Sequence, residues 1–256
     1  MKVVILAGGL GSRISEESLL KPKPLIEIGS KPIIWHIMKI YSKFGLNEFI
    51  ICCGYKGYLI KEYFANYSLH TTDITVDVSK NEIFVHKKKT EPWKITCIDT
   101  GEFSNTGERI KKIKDYIDGD FCLTYGDGLT SANIKEVIKF HKSNKKLATI
   151  LAVKPPGRFG AINIKGKIVN NFLEKPSGDG GWINGGFFVL NKKVFSYLNS
   201  NNCIWERQPL ENIVKAKQLL AYKFSGFWHA MDTVRDKNYL ENLWTSNKAP
   251  WKTWND

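Results

Sequence analysis

A single α/β domain is the fold predicted for this chain of 256 residues. Three observations predict it. Short apolar runs alternate with helix-spaced apolar residues through the first half, as in βαβ units. The first run, Val3–Ala7, is apolar throughout, like a parallel strand buried on both faces. The second half is richer in strands, which suggests a mixed, elaborated sheet. No repeat, low-complexity tract or clear linker interrupts the chain.

The elements follow in order. Val3–Ala7 is a buried strand. Pro32 suits a first helical turn, and Ile33, Ile34, Ile37, Met38, Tyr41 and Phe44 recur at helical spacing until Gly45. Phe49–Cys53 is a second buried strand. Tyr58–Tyr67 is a helix with Leu59, Tyr63 and Phe64 inward. Alternation at Ile74, Val76 and Val78, around Ile83–Val85 and over Ile95–Ile98 predicts edge strands or an antiparallel excursion. Gly107–Ile117 is a basic helix carrying Ile110, Ile113 and Ile117 on one face. Phe121–Tyr125 is a strand, Ile134–His141 a helix and Thr149–Val153 a strand. Ala161–Ile164, Ile168–Leu173, Gly186–Leu190 and Leu219–Phe224 complete the strands, with two short helices before the last. Thr233–Trp244, with Thr233 and Asp236 spaced as a capping box, ends the folded part.

Composition narrows the functional classes. Hydrophobic residues make up 43% and aromatics 12%, enough for a substantial core. No apolar run approaches the roughly 18 residues of a membrane span. The first apolar run stops at Gly8, too soon for a secretory signal, so the expected location is the cytoplasm. The five cysteines include no CxxC spacing, and their odd number argues against a disulfide framework. Net charge is +13, with lysine clusters at 87–89, at Lys111, Lys112 and Lys114, and at Lys145 and Lys146. Such a field could draw nucleic acid, an acidic surface or phosphorylated ligands. No nucleic-acid motif accompanies it, and most of these runs read as solvated lysine.

Four stretches carry chemistry. In "LAGGLGSRISEESLLKPKP", glycines follow a strand and let backbone N–H groups approach an anion. The loop fits neither the dinucleotide fingerprint nor the Walker A pattern. Arg13 can grip phosphate oxygens in pairs, and prolines stiffen the chain around Lys23. In "TYGDG", Asp127 follows a strand end, where a carboxylate could hold Mg²⁺ or simply make a turn. Asp232, in "GFWHAMDTVRD", is either a helix cap or a second metal ligand. "FLEKP" and "INGGFFVL" supply Glu174, Lys175 and Asn184, types suited to sugar hydroxyls and a phosphate.

"LAGGLGSR", "KPKP", "YGDG", "EKP", "NGGFFVL" and "MDTVRD" stand in the order found in sugar-1-phosphate nucleotidyltransferases, which the chain resembles from Met1 nearly to its C-terminus. The longer strings "KPIIWHIMKIYSKFG", "FIICCGYKGYLIKEYFANY", "EPWKITCIDTG", "PPGRFGAI" and "KAPWKTW" are similar to the glucose-1-phosphate cytidylyltransferase branch. Ser12 stands where the wider family has Thr, and Ile14 where it has Leu; serine keeps the hydroxyl.

The resemblance implies a Rossmann-like α/β/α fold with a central mixed, mostly parallel sheet and a small additional β element. It implies one nucleotidyltransferase domain over 1–256, with a nucleotide-binding part to about 130 and a sugar-phosphate-binding part beyond. The implied reaction is CTP with α-D-glucose 1-phosphate giving CDP-glucose and pyrophosphate, with Mg²⁺, toward deoxy sugars of bacterial surface polysaccharide. A homo-oligomer, a hexamer in the family manner, is implied, with no nucleic-acid or membrane partner. Leu6, Ala7, Gly8, Gly9, Leu10 and Gly11 would cradle the nucleotide. Ser12 and Arg13 would hold the β- and γ-phosphates, and Lys23 would sit on the α-phosphate or between it and the sugar phosphate; Arg13 and Lys23 are the implied catalytic residues. Asp127 and Asp232 would hold the metal. Lys175 would pair with the sugar phosphate, and Glu174, Asn184 and Gly185 would bind hydroxyls. Ser104, Thr106, Gly107, Arg109, Tyr125 and Gly126 would complete the nucleotide site. The alternatives are a related uridylyl- or thymidylyltransferase, a catalytically dead nucleotide-binding module, and a nucleic-acid-binding protein.

Overall fold

The computed structural model describes residues 1–86, 90–155, 161–165, 167–173, 181–199 and 202–254. Its centre is a seven-stranded sheet. In chain order the strands are β1 (Val3–Ala7), β2 (Glu48–Cys53), β3 (Lys94–Asp99), β4 (Phe121–Tyr125), β5 (Ala148–Val153), β6 (Ile183–Leu190) and β7 (Leu219–Phe224). Across the sheet they lie in the order β7-β5-β6-β4-β1-β2-β3. β6 pairs antiparallel with both β4 and β5, and the other ladders are parallel. The sheet is therefore mixed and mostly parallel.

Alternate residues of β1 feed two cores. Val3, Ile5 and Ala7 join one apolar cluster, and Val4 and Leu6 the other, as a two-residue side-chain period requires. The first cluster takes in the helices α1 (Ile33–Ser42), α2 (Gly57–Ala65), α4 (Ile134–Asn144) and α6 (Val234–Thr245). The second takes in α3 (Thr106–Lys112) and α5 (Gln208–Lys215). These layers make the α/β/α arrangement.

Several expectations need correction. Pro32 caps α1 from outside rather than sitting in its first turn. Gly45, at φ 77°, closes the chain after it, a conformation that costs glycine little. α2 stops at Ala65, and a separate short turn of helix spans Tyr67–Thr71. The basic helix expected over 107–117 is α3 followed by a 3₁₀ turn at Lys114–Tyr116, yet Ile110, Ile113 and Ile117 are all buried together. The excursion is only the hairpin Ile74–Asp77 with Glu82–Val85, while β3 is a parallel edge strand beside β2. The strands Ala161–Lys165 and Ile168–Leu173 form a hairpin of their own.

The folded part does not end at Trp244. Trp251 and Trp254 are buried against α1. Trp251 stacks on Trp244 and on Phe227, and Trp254 meets Trp35 edge-on. This strap explains why Trp35, His36 and Ile40 are buried beyond the single face of α1 that periodicity marks.

His36 lies wholly inside this aromatic cluster. Its Nε2 meets the Ile28 carbonyl at 2.8 Å, and Trp251 Nε1 donates to its Nδ1 at 3.3 Å. The neutral ring satisfies both contacts; a second ring proton would face the indole N–H. Burial lowers its pKa from 6.5 to about 4, the Ile28 contact opposing this. The unfolded chain therefore binds the proton first as pH falls from 6.5 to about 4. Stability present above pH 6.5 is lost across that window, by about 3 kcal/mol. Urea unfolding at pH 7 and pH 4.5 should show this loss in the parent chain and less of it in His36→Gln. Equal losses in both would refute the assignment.

Candidate functional site

The site lies beyond the carboxyl ends of β1 and β4, where open α/β sheets bind ligands. A cavity of about 410 Å³ opens there. The loop after β1 forms one wall. Gly11 has φ 67°, in the left-handed region, and its carbonyl accepts from Ile14 N and Ser18 Oγ. The chain then turns through the 3₁₀ turns Ser12–Ile14 and Lys23–Leu25. Pro22 and Pro24 flank Lys23 and hold its backbone in that turn.

Lys23 is the hub. Its Nζ donates to Asp127 Oδ2 at 2.6 Å and to Asp232 Oδ1 at 2.9 Å. Burial opposes its charge, but the two carboxylates outweigh that and raise its pKa above the ordinary lysine value. The two acids stand 105 positions apart in sequence, and a short ladder unites them. Gly128–Thr130 pairs antiparallel with Trp228–Ala230, and Met231 N donates to the Asp127 carbonyl at 2.9 Å. Neither strand was expected from the sequence. The capping reading of Asp232 is also resolved. Thr233 caps α6, its Oγ1 accepting from Asp236 N, and Asp236 Oδ2 accepts from Thr233 N. Asp232 is thereby left to face Lys23.

Two carboxylate oxygens converging on one ammonium are an oxygen donor set of the kind Mg²⁺ uses, since that ion takes one or two carboxylates and completes its shell with water and phosphate. Among the described residues no group of three or more His, Cys, Asp or Glu is placed to hold a metal ion.

Arg109 lines the cavity and also binds backbone. It is 3% exposed. Nη1 donates to the carbonyls of Cys53 and Gly101 and to Thr100 Oγ1, and Nη2 to the carbonyls of Gly8 and Glu102. Its guanidinium ties the glycine loop to the ends of β2 and β3 and is turned toward backbone. The approach is so close that a side chain at Gly8 or Gly54 would collide with it.

A carboxylate that the sequence did not mark stands behind the far wall. Glu206 accepts from Tyr125 Oη and, at 2.6 Å, from Thr106 Oγ1. Burial, followed by the Glu206 charge, raises the Tyr125 pKa and keeps the phenol protonated. Asn184 Nδ2 donates to Tyr125 Oη at 3.2 Å while its Oδ1 accepts from Gly186 N. "CIWERQP" offered no spacing that would have drawn attention to Glu206.

The cavity lining brings together Leu6, Ala7, Gly8, Gly9, Gly11, Ser12, Lys23, Ser104, Thr106, Arg109, Tyr125, Gly126 and Asp127, with Asn105 as an unexpected member. Leu10 points outward. Gly107 packs against Cys203 and does not line the cavity. Asp232 reaches the cavity through Lys23, and Asn184 through Tyr125. The Gly185 carbonyl accepts from Trp228 Nε1. Arg13 has a described backbone, but its side chain lies outside the described residues. Glu174 and Lys175 lie outside them altogether.

Comparison with known proteins places the chain among nucleotide-using enzymes. The pattern of the family described as nucleotidyl transferase matches residues 2–229. Glucose-1-phosphate cytidylyltransferase of Salmonella typhimurium is 55% identical over 256 residues, covering 99% of this chain and 100% of its own. The protein of the same name from Salmonella typhi is also 55% identical with the same coverage. In fold, a UDP-glucose pyrophosphorylase complexed with UDP-glucose superposes with a TM-score of 0.70 at 16% identity, over 96% of this chain and 98% of that one.

Proposed function

The chain belongs to the nucleotidyl transferase family, and we propose that it transfers the cytidylyl group of CTP to α-D-glucose 1-phosphate, giving CDP-glucose and pyrophosphate. The observation that carries this reading is the Lys23 ammonium held between Asp127 and Asp232 beside a glycine-walled cavity. A phosphate oxygen of the sugar attacks the α-phosphorus of CTP, and the bond from that phosphorus to the bridging oxygen of pyrophosphate breaks. The nucleophile is already an anion, so no covalent enzyme intermediate is required. Charge repulsion and charge building at phosphorus are the obstacles, and positioning and electrostatics relieve them.

Each group then has a task. The loop from Leu6 to Gly11 cradles the nucleotide, and Ser12 and Arg13 bind the β- and γ-phosphates. Lys23 meets the α-phosphate with a full positive charge. Arg109 keeps the Gly8 carbonyl in position from behind. Asp127 and Asp232 hold Mg²⁺, which supplies charge neutralisation at the phosphates when bound. Lys175 pairs with the sugar phosphate, and Glu174, Asn184 and Gly185 take sugar hydroxyls. Tyr125, set by Glu206, forms the wall between the two substrates. The single-domain reading over 1–256 and a cytoplasmic homo-oligomer, a hexamer by resemblance, belong to the same proposal. An exposed aliphatic face on the 74–85 hairpin, made of Ile74, Val76, Ile83 and Val85, supports self-association. No helix among the described residues is long and apolar enough to cross a membrane.

Product analysis with CTP, UTP and dTTP against a panel of sugar 1-phosphates tests the reading. CDP-glucose should dominate, and a stronger preference for UTP or dTTP would overturn the assignment. Asp232→Asn should raise the Mg²⁺ concentration for half-maximal rate by at least about tenfold, or about 1.4 kcal/mol. If only thermal stability fell, Asp232 would be a structural residue.

A further inference from the structure

A second basic cavity lies at the opposite end of the sheet. Its volume is about 330 Å³, and its walls include Lys142, Lys145, Lys146, Lys193, His141 and Asp120. These residues come from the end of α4, the start of β5, the start of β4 and the turn after β6. β4 runs from Asp120 toward Asp127, and its five residues alone span roughly 17 Å. The two cavities share no lining residue.

Four lysines and one aspartate line this cavity. The Asp120 carboxylate is engaged, its Oδ1 accepting from Asn191 Nδ2 at 2.7 Å. None of the four lysines forms an ion pair with a described residue. Like charges gathered in a concavity repel, and nothing in the surrounding core requires them there. His141 is an independent sign of a binding place. It is 2% exposed, its Nδ1 meets Thr149 Oγ1 at 2.9 Å, and its Nε2 has no hydrogen-bond partner among the described residues. With the Thr149 hydroxyl donating to Nδ1, the ring proton sits on Nε2 and supplies a donor at the cavity wall. Burial lowers the ring's pKa, so the neutral form with one such N–H is favoured at neutral pH.

We propose that this cavity is a second anion site that takes a pyrophosphate group, free or carried by a nucleotide, on the ammonium groups of Lys142, Lys145, Lys146 and Lys193 and on His141 Nε2. Its charge and size suit a compact, multiply charged phosphate better than a single carboxylate or a long polyanion. Binding weakens as salt rises, because the lysine ends reach solvent.

Calorimetric titration of inorganic pyrophosphate into the full chain, without Mg²⁺, tests the site. The catalytic cavity is silenced by combining Arg13→Ala with Lys23→Met, which removes both cations given to the nucleotide phosphates, and pyrophosphate binding should persist in that double variant. Adding Lys145→Gln and Lys193→Gln should weaken the remaining binding at least tenfold, while Lys135→Gln with Lys139→Gln, exposed on the same helix but outside the cavity, should leave it unchanged. No residual binding in the double variant overturns the proposal. So does residual binding that Lys145→Gln and Lys193→Gln leave intact, or a loss equal to that of the control pair. If the reading of the catalytic cavity is wrong instead, the double variant matches the parent chain while the Lys145 and Lys193 changes still weaken binding. Repeating the titration with CDP separates the sources: competition with pyrophosphate assigns the site to a nucleotide, and none assigns it to the free anion.

Discussion

Replacing Lys23 with methionine is expected to lower kcat/KM by at least about 10², or about 2.7 kcal/mol of transition-state stabilisation. Methionine keeps most of the stem and removes the charge. In the parent chain that charge lies within hydrogen-bond distance of both Asp127 and Asp232. Without it, two half-buried carboxylates face each other, and charge building at the α-phosphorus loses its nearest cation. The variant should therefore gain more thermal stability from added Mg²⁺ than the parent does, because the ion would relieve a repulsion that Lys23 otherwise cancels. Single-turnover kinetics and melting curves with and without Mg²⁺ check both parts. Near-normal turnover would remove Lys23 from the chemistry.

Arg109→Leu is the second large effect. Five acceptors converge on this guanidinium, four of them backbone carbonyls, and leucine would take a charged donor from each, although the Gly8 and Cys53 carbonyls keep backbone donors in Tyr55 N and Thr100 N. A loss on the order of 4 kcal/mol follows from the lost hydrogen bonds to a charged group. For a chain of this size that is a fall of roughly 10 °C in Tm. Activity should fall as well, since the Gly8 carbonyl would keep only its bond from Tyr55 N. A variant that loses nucleotide affinity but melts like the parent would mean that Arg109 contacts the nucleotide directly, as the resemblance alone implies.

Much of the scaffold was legible because local patterns and global packing agree. Val3–Ala7 is apolar at every position and is buried at every position. The capping box at Thr233 and Asp236 needs only neighbours in sequence, and it formed as read. α1 was read with one inward face and proved buried nearly all round, because Trp251 and Trp254 return to cover its other side. Nothing within α1 reports a strap more than 200 residues away.

The candidate site divides in the same way. The glycine loop, the proline-held Lys23 and an aspartate at the end of β4 can be read from residue order, since each depends on a strand, a turn and a few adjacent residues. What these groups face is set by contacts between distant parts of the chain. The ladder between Gly128–Thr130 and Trp228–Ala230, too short to stand out as periodicity, brings Asp232 to Lys23. The enclosure by β2 and β3 makes Arg109, a cavity-lining residue, a backbone clamp as well, because a buried guanidinium bonds to the carbonyls around it. Glu206 supports the wall only because the chain before α5 passes Tyr125 and Thr106. Which side chains a residue type can satisfy is written locally, whereas which of them it meets depends on contacts across the whole fold.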